Sequence, residues 1–298
     1  MRKIVLSALL VLFLSFGSAE GLAPEKSYIT VEGSNLNNSV VVEVGAMAQT
    51  ATRVQLRPQT LTSFRAYIRD AEAAMEQAPA GGSPFLWSNV NSERAQQVRG
   101  GQVVAQFWSG HGPIKVPNGL IHDWIGASFI PDTTVEEVLA LMQDYDNHKN
   151  IYKPEVIASR LISHSGNDFQ ICLRLLKKRI VTVVLDTDHE VHYRSLDRGR
   201  WLCRSYTTRI SEVEQAGLPK ERVLPPDTGS GFLWRLYSYW RFQEREGGAY
   251  VECRAISLTR DVPLGLGWII EPVIQKLPRE SLIHTLEATR QALIASAR

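Results

Sequence analysis

From residue 156 to residue 260, apolar and polar side chains alternate over long stretches, clearest at Phe169, Ile171, Leu173 and Leu175. A period of two sends successive side chains to opposite sides of a β-sheet. The pattern predicts antiparallel strands near 156–164, 169–176, 180–193, 201–213, 232–244 and 250–260. Ser165-Gly166-Asn167 and Glu246-Gly247-Gly248-Ala249 are the tight-turn signals between them. With Gly247-Gly248 as a two-residue turn, Trp240 would lie opposite Ala255, Phe242 opposite Cys253 and Ser238 opposite Ser257. That pairing gathers one mainly apolar face and leaves Arg241, Gln243, Glu252 and Arg254 on the other, read as a wet face. A slip of one residue would bury the charges instead, so the faces are specified.

Helical spacing appears at both ends. Leu61, Phe64, Ile68, Ala71 and Met75 predict an amphipathic helix ending near Pro79, and a shorter one is expected over 85–99 after the Ala80-Gly81-Gly82-Ser83-Pro84 break. Residues 20–60 are poorly patterned, with one strand candidate at 39–44. Strands over 102–108 and 119–130 lead into Thr133-Thr134-Val135-Glu136, read as a capping box for a helix carrying Val135, Val138, Leu139, Met142 and Tyr145 on one face. Pro278 stands where a proline at the first helical position would start the last helix. Leu282, Leu286, Thr289 and Leu293 form its narrow apolar stripe, which only an apolar sheet face could cover.

The N-terminus changes the compartment. Arg2 and Lys3 precede a 13-residue apolar stretch, Ile4 to Phe16, and Gly17-Ser18-Ala19 offers the small residues a signal peptidase needs. The stretch is shorter than the roughly 20 residues a spanning helix requires, which favours a cleaved signal peptide over an uncleaved anchor. Export implies a periplasmic or secreted protein. Without residues 1–19 the 33 Lys and Arg become 31, equal to the 31 Asp and Glu. A net charge of zero, with no basic stripe, argues against a nucleic-acid partner. Lys177-Lys178-Arg179 reads as a solvated turn. The domains expected are 1–19 as signal peptide, 20–100 as an accessory segment packed against the main domain, and 101–298 as that main domain.

One helix after early strands, a long antiparallel meander and a long C-terminal helix is an order that resembles the START-like, or SRPBCC, superfamily. Local stretches carry the resemblance too. Asp144-Tyr145 followed by Tyr152-Lys153-Pro154-Glu155-Val156 is similar to the cyclase-type passage from helix to second strand. Arg260-Asp261-Val262-Pro263 resembles the entry to the family's last helix. The resemblance covers roughly residues 100–298. It implies an α+β helix-grip fold, an antiparallel sheet curved around the C-terminal helix, with residues 20–100 as a partly helical extension. It also implies a cavity for an apolar or amphipathic ligand between sheet and helix. Carriage of such a ligand would allow transient membrane contact.

Candidate chemistry is sparse. No G-x-S-x-G, P-loop or dinucleotide fingerprint is present, and no cofactor is expected. His189-Glu190-Val191-His192 has its histidines three apart on a strand, which points them to opposite faces and argues against a metal site. Asp186 and Asp188 share a face, as a carboxylate pair or a solvated edge. Cys172, Cys203 and Cys253 are read as buried small hydrophobes. Ser238, Trp240, Phe242, Leu282 and Leu286 are the expected cavity lining. Arg209, counted on the same side as Ser205 and Thr207, is a candidate for holding a carboxylate or phosphate, or else a surface arginine. The polar stretch 215–231 is either a lid or a disordered hairpin loop. Three functions stand open: an exported carrier of a hydrophobic small molecule, a cyclase- or aromatase-like enzyme, and an interaction module that binds no small molecule.

Overall fold

The computed structural model describes residues 28–32, 39–43, 53–77, 84–178, 182–261 and 267–296. The signal-like residues 1–19 and the Gly-rich bend after Val262 lie outside them. A small unit within Met1–Ala51 contains strands β1 (Tyr28–Glu32) and β2 (Ser39–Glu43), paired antiparallel.

The second unit spans Thr52–Arg298. It opens with β3 (Val54–Gln55), helix α1 (Pro58–Gln77), a 3-10 turn (Trp87–Val90) and α2 (Ser92–Arg99). Next come β4 (Val104–Phe107), β5 (Ile114–Val116), β6 (Gly119–Pro131), α3 (Val135–Gln143) and α4 (His148–Ile151). The meander is β7 (Val156–Ser165), β8 (Asp168–Lys178), β9 (Thr182–Asp197) and β10 (Arg200–Glu214). Short β11 (Arg222–Val223) and β12 (Thr228–Gly229) precede β13 (Arg235–Glu244), β14 (Gly248–Arg260) and α5 (Gly267–Ser296).

Ten of these strands form one antiparallel sheet in the order β4-β6-β14-β13-β10-β9-β8-β7, with β5 added to β6 and β11 to β10. Helix α5 lies on its inner face. Leu282 and Leu286 seat on Gly126, where an added Cβ would come within 2.8 Å of Leu286 Cδ1. Under them Trp124, Val191, Tyr193, Cys203, Trp240, Phe242, Val251 and Cys253 form one core with Val138 and Met142 of α3. A single antiparallel sheet gripping a C-terminal helix is the α+β helix-grip fold. Among the described residues no helix is long and apolar enough to cross a membrane.

The outer face is covered over β6, β13 and β14, and stays open to solvent over β8 and β9. Phe64, Ile68 and Ala71 of α1 pack on Ile121, Tyr239, Ile256 and Leu258. Leu86, Trp87 and Val98 cover Ile125, Ala127, Phe129 and Tyr250. Alternation places Arg254 and Glu252 on this side as expected, but the N-terminal segment buries both. Each is matched with partners, as a buried charge must be. Arg254 donates to both carboxylate oxygens of Asp123, at 2.9 and 2.5 Å, and Tyr67 of α1 donates to the same carboxylate at 2.6 Å. Glu252 accepts the backbone N–H groups of Trp87 and Ser88, both at 2.8 Å. Glu72 accepts the hydroxyls of Tyr206 and Tyr239.

Several local expectations change. The last hairpin turns at Glu246-Gly247, both with positive φ, and not at Gly247-Gly248. Arg245 and Gly248 exchange backbone hydrogen bonds around that turn, the two-residue geometry whose twist suits a hairpin. Trp240 therefore pairs with Cys253, Phe242 with Val251 and Ser238 with Ala255. The shift is two residues, so each side chain keeps its face. The capping box is Thr134 with Glu137, one residue later than read, because Thr133 turns its hydroxyl to the Pro131 carbonyl. Helix α5 begins at Gly267, so Pro278 lies inside it and does not start it. The 85–99 helix is a 3-10 turn and a separate α-helix, which Asn91 caps through the Arg94 N–H. Edge strand β7 carries two register shifts, at Val156/Ala158 and Leu161/Ser163.

Candidate functional site

Antiparallel register lines up the inward side chains of the central strands in rows. One row runs Tyr193, Cys203, Trp240, Cys253 and Gly126, the next Val191, Ser205, Ser238, Ala255 and Trp124. A further row has Thr207 facing His189 on one side of β10, and Leu236, Ser257 and His122 in line across β13, β14 and β6. The first row is buried and closed by α5. The middle one is small at its centre, and Ser205, Ser238 and Ala255 remain only half-buried although each lies between paired strands. Arg254 and Ile256, which flank Ala255 and point outward, are buried. The remaining exposure at Ala255 is therefore on the inner face. Three small residues side by side, each keeping accessible surface, mark a hollow in the inner face.

The hollow's polar groups are neutral. His189 Nε2 lies 2.9 Å from Thr187 Oγ1, and its Nδ1 lies 3.4 Å from Ser205 Oγ. Burial holds this imidazole down to about 4, and His122, 3.1 Å from Thr259 Oγ1, is likewise lowered to about 4. The inward residues of the three rows include no Asp, Glu, Lys or Arg. Beyond them, toward α3 and α4, hydroxyls close the space in pairs. Tyr145 meets Tyr193 at 3.0 Å, and Tyr152 meets Thr289 of α5 at 3.2 Å. Burial pushes the Tyr152 phenol up to about 12.

The expected lining residues separate into three groups. Ser238 borders the hollow. Trp240 and Leu282 are packed beside it with a few per cent of their surface left, while Phe242 and Leu286 are wholly enclosed and present nothing to a ligand. Their size is the reason, since they reach the helix and fill the gap. Arg209 is placed on the other side of the sheet. A β-bulge between Thr207 and Arg209 breaks the alternation, and the guanidinium takes both oxygens of Asp188 at 2.6 and 3.0 Å. That partner holds the Asp188 carboxyl below the usual carboxylate range. Asp186 is similarly engaged by Arg174. Ser205, Ala255 and the relation of His189 to Ser205 escape a reading of the sequence, since none carries a motif and only the pairing register joins them.

Other candidates resolve into structure. His189 points inward and His192 outward to Asp168, and no cluster of three metal-ligating side chains exists among the described residues. The three cysteines are free thiols. Cys203 and Cys253 flank Trp240, two strand spacings or about 9–10 Å apart, beyond disulfide reach. The 215–231 stretch is held by β11 on β10, β12 on β3 and the Asp227–Arg235 ion pair. A shallow outer trough of about 430 Å³ is lined by Gln170, Glu190, His192, Arg204 and Tyr206. It is open to solvent, and its His192 and Arg204 are already paired with Asp168 and Glu76.

No family model and no curated protein matches this chain. Solved structures do. A STAR-related lipid transfer protein fragment from Xanthomonas axonopodis aligns with 61% of this chain and 99% of its own, at 16% identity and a TM-score of 0.41. The Zhui aromatase/cyclase from Streptomyces sp. R1128 aligns with 60% and 96%, at 8% identity and 0.42. A START superfamily protein from Mycobacterium smegmatis aligns with 58% and 98%, at 10% identity and 0.40. Likeness at this level assigns neither ligand nor chemistry to this chain.

Proposed function

We propose that this chain is an exported carrier that shields an uncharged, largely apolar small molecule in the hollow over Ser205, Ser238 and Ala255. The observation that supports it most is that these three small inward residues, side by side in the middle of the sheet, keep accessible surface. Burying apolar surface there would contribute about 25 cal/mol per Å² before ordering costs. The mature chain would begin at Glu20, in keeping with the signal-like N-terminus.

A cyclase-like enzyme needs a group that exchanges protons with its cargo. His189 is the inward side chain best placed for that. Its second nitrogen meets a threonine hydroxyl where a carboxylate would be required to stabilise an imidazolium. The carrier reading is therefore preferred.

The test is purification from the native host without detergent, then mass spectrometry of an organic extract and of the N-terminus. A stoichiometric apolar compound, absent from a Ser238→Trp variant that fills the hollow, is the expected result. A clean extract, together with a wild-type protein that gives no fluorescence increase with N-phenyl-1-naphthylamine, would sink the proposal.

A further inference from the structure

The hydrogen bonds behind Ser205 have a direction. Thr187 Oγ1 donates its single hydrogen to the carbonyl of Leu173 at 3.1 Å. Toward His189 the same oxygen can only accept, so His189 Nε2 carries the proton. A neutral imidazole has one N–H, which leaves Nδ1 bare. Nδ1 in turn can only accept, and the group beside it is the Ser205 hydroxyl. The chain of donors therefore runs from Ser205 through His189 and Thr187 to a backbone carbonyl of β8. Ser205 has given away its only hydrogen, and its oxygen faces the hollow with lone pairs.

We propose that Ser205 is the polar anchor of the hollow, accepting a hydrogen bond from a hydroxyl or N–H of an otherwise apolar ligand, with His189 and Thr187 as positioning residues. This rests on the carrier reading and narrows its cargo. Alcohols, phenols and secondary amines fit. Carboxylates and phosphates do not, because no inward residue of the three rows is a cation and Arg209 is turned to the opposite face. Ketones and ethers without a donor are discriminated against, since two acceptors would meet at Ser205. A site built to pair with a hydroxyl rejects the analogue that lacks it more strongly than an apolar wall distinguishes size.

The experiment compares 2-naphthol, 2-methoxynaphthalene and 2-naphthoate by calorimetric titration of the full mature chain. The wild type should bind 2-naphthol roughly five- to tenfold more tightly than its methyl ether, the range of one neutral hydrogen bond, and 2-naphthoate least. Ser205→Ala should abolish that preference while retaining affinity for the ether. Ser205→Cys, close in volume and a poor acceptor, serves if the alanine variant folds badly. His189→Phe frees the serine hydrogen and should shift preference toward the ether, which a merely structural histidine would not do. Equal binding of naphthol and ether by the wild type, or an unchanged preference in both Ser205 variants, overturns the anchor and leaves the carrier reading standing. Failure of all three compounds to bind overturns both.

Discussion

At the scale of residues, the fold's most exacting positions are buried polar groups whose partners come from distant segments. Asp123, Arg254 and Tyr67 meet beneath α1, with Trp108 stacked over the guanidinium at 4.1 Å. Asp123→Asn would leave Arg254 buried without its counter-charge and should cost about 3–5 kcal/mol in urea unfolding. Tyr67→Phe, which removes one donor to an already satisfied carboxylate, should cost about 1 kcal/mol. His122, His148 and His189 set the pH response. Burial lowers each to about 4 from an ordinary 6.5, so all three stay neutral in the folded protein while the unfolded chain takes up protons. Their contribution is full above pH 6.5 and is lost as pH falls toward 4. Several kcal/mol should disappear between pH 7 and 4.5, since a tenfold difference in proton affinity between folded and unfolded chain corresponds to about 1.4 kcal/mol. A urea midpoint that is flat across this window would contradict the burial of these imidazoles. Glu252, whose carboxyl burial raises, opposes this as pH falls and offsets part of the loss, while Asp188, lowered by Arg209, acts further down the scale.

At the scale of elements, alternation in the sequence is enough to assign faces, even where the expected pairing is displaced. Trp240, Phe242 and Cys253 lie inward because an error of two residues preserves parity. Arg209 shows where that logic fails, since the bulge after Thr207 leaves no trace in composition and reverses everything beyond it. The hollow is legible only in part. Ser238 stands out through its aromatic neighbours, whereas Ser205 and Ala255 become neighbours only through a register across three strands. The charges of β13 and β14 read as solvated because nothing local says that residues 58–99 return to cover them. Two substitutions test these contacts. Gly126→Val would drive a side chain into Leu282 and Leu286 and should destabilise the protein by about 1–3 kcal/mol, measured by thermal unfolding. Glu252→Ala removes the acceptor for Trp87 and Ser88, and their amides should then exchange with deuterium far faster than in the wild type.

At the scale of the molecule, the sheet is a shared wall, with α5 on one side and α1 and α2 on the other. The outer cover is no detachable accessory. A chain started at residue 100 would expose Ile121, Tyr239, Ile256 and Leu258 along with Asp123 and Arg254. Its expression should yield aggregate where the full chain yields soluble protein, as judged by gel filtration. The same wall explains why the hollow can hold its shape, for its back is braced by the paired charges of Asp123 and Arg254. The sheet's free edges carry a different consequence. On one side the outermost strands, β4 and β5, are four and three residues long. On the other, two bulges interrupt β7, so an incoming strand finds no unbroken line of donors and acceptors to copy. Copies of this chain that meet at high local concentration find edges broken in this way, which discourages them from zipping into fibrils.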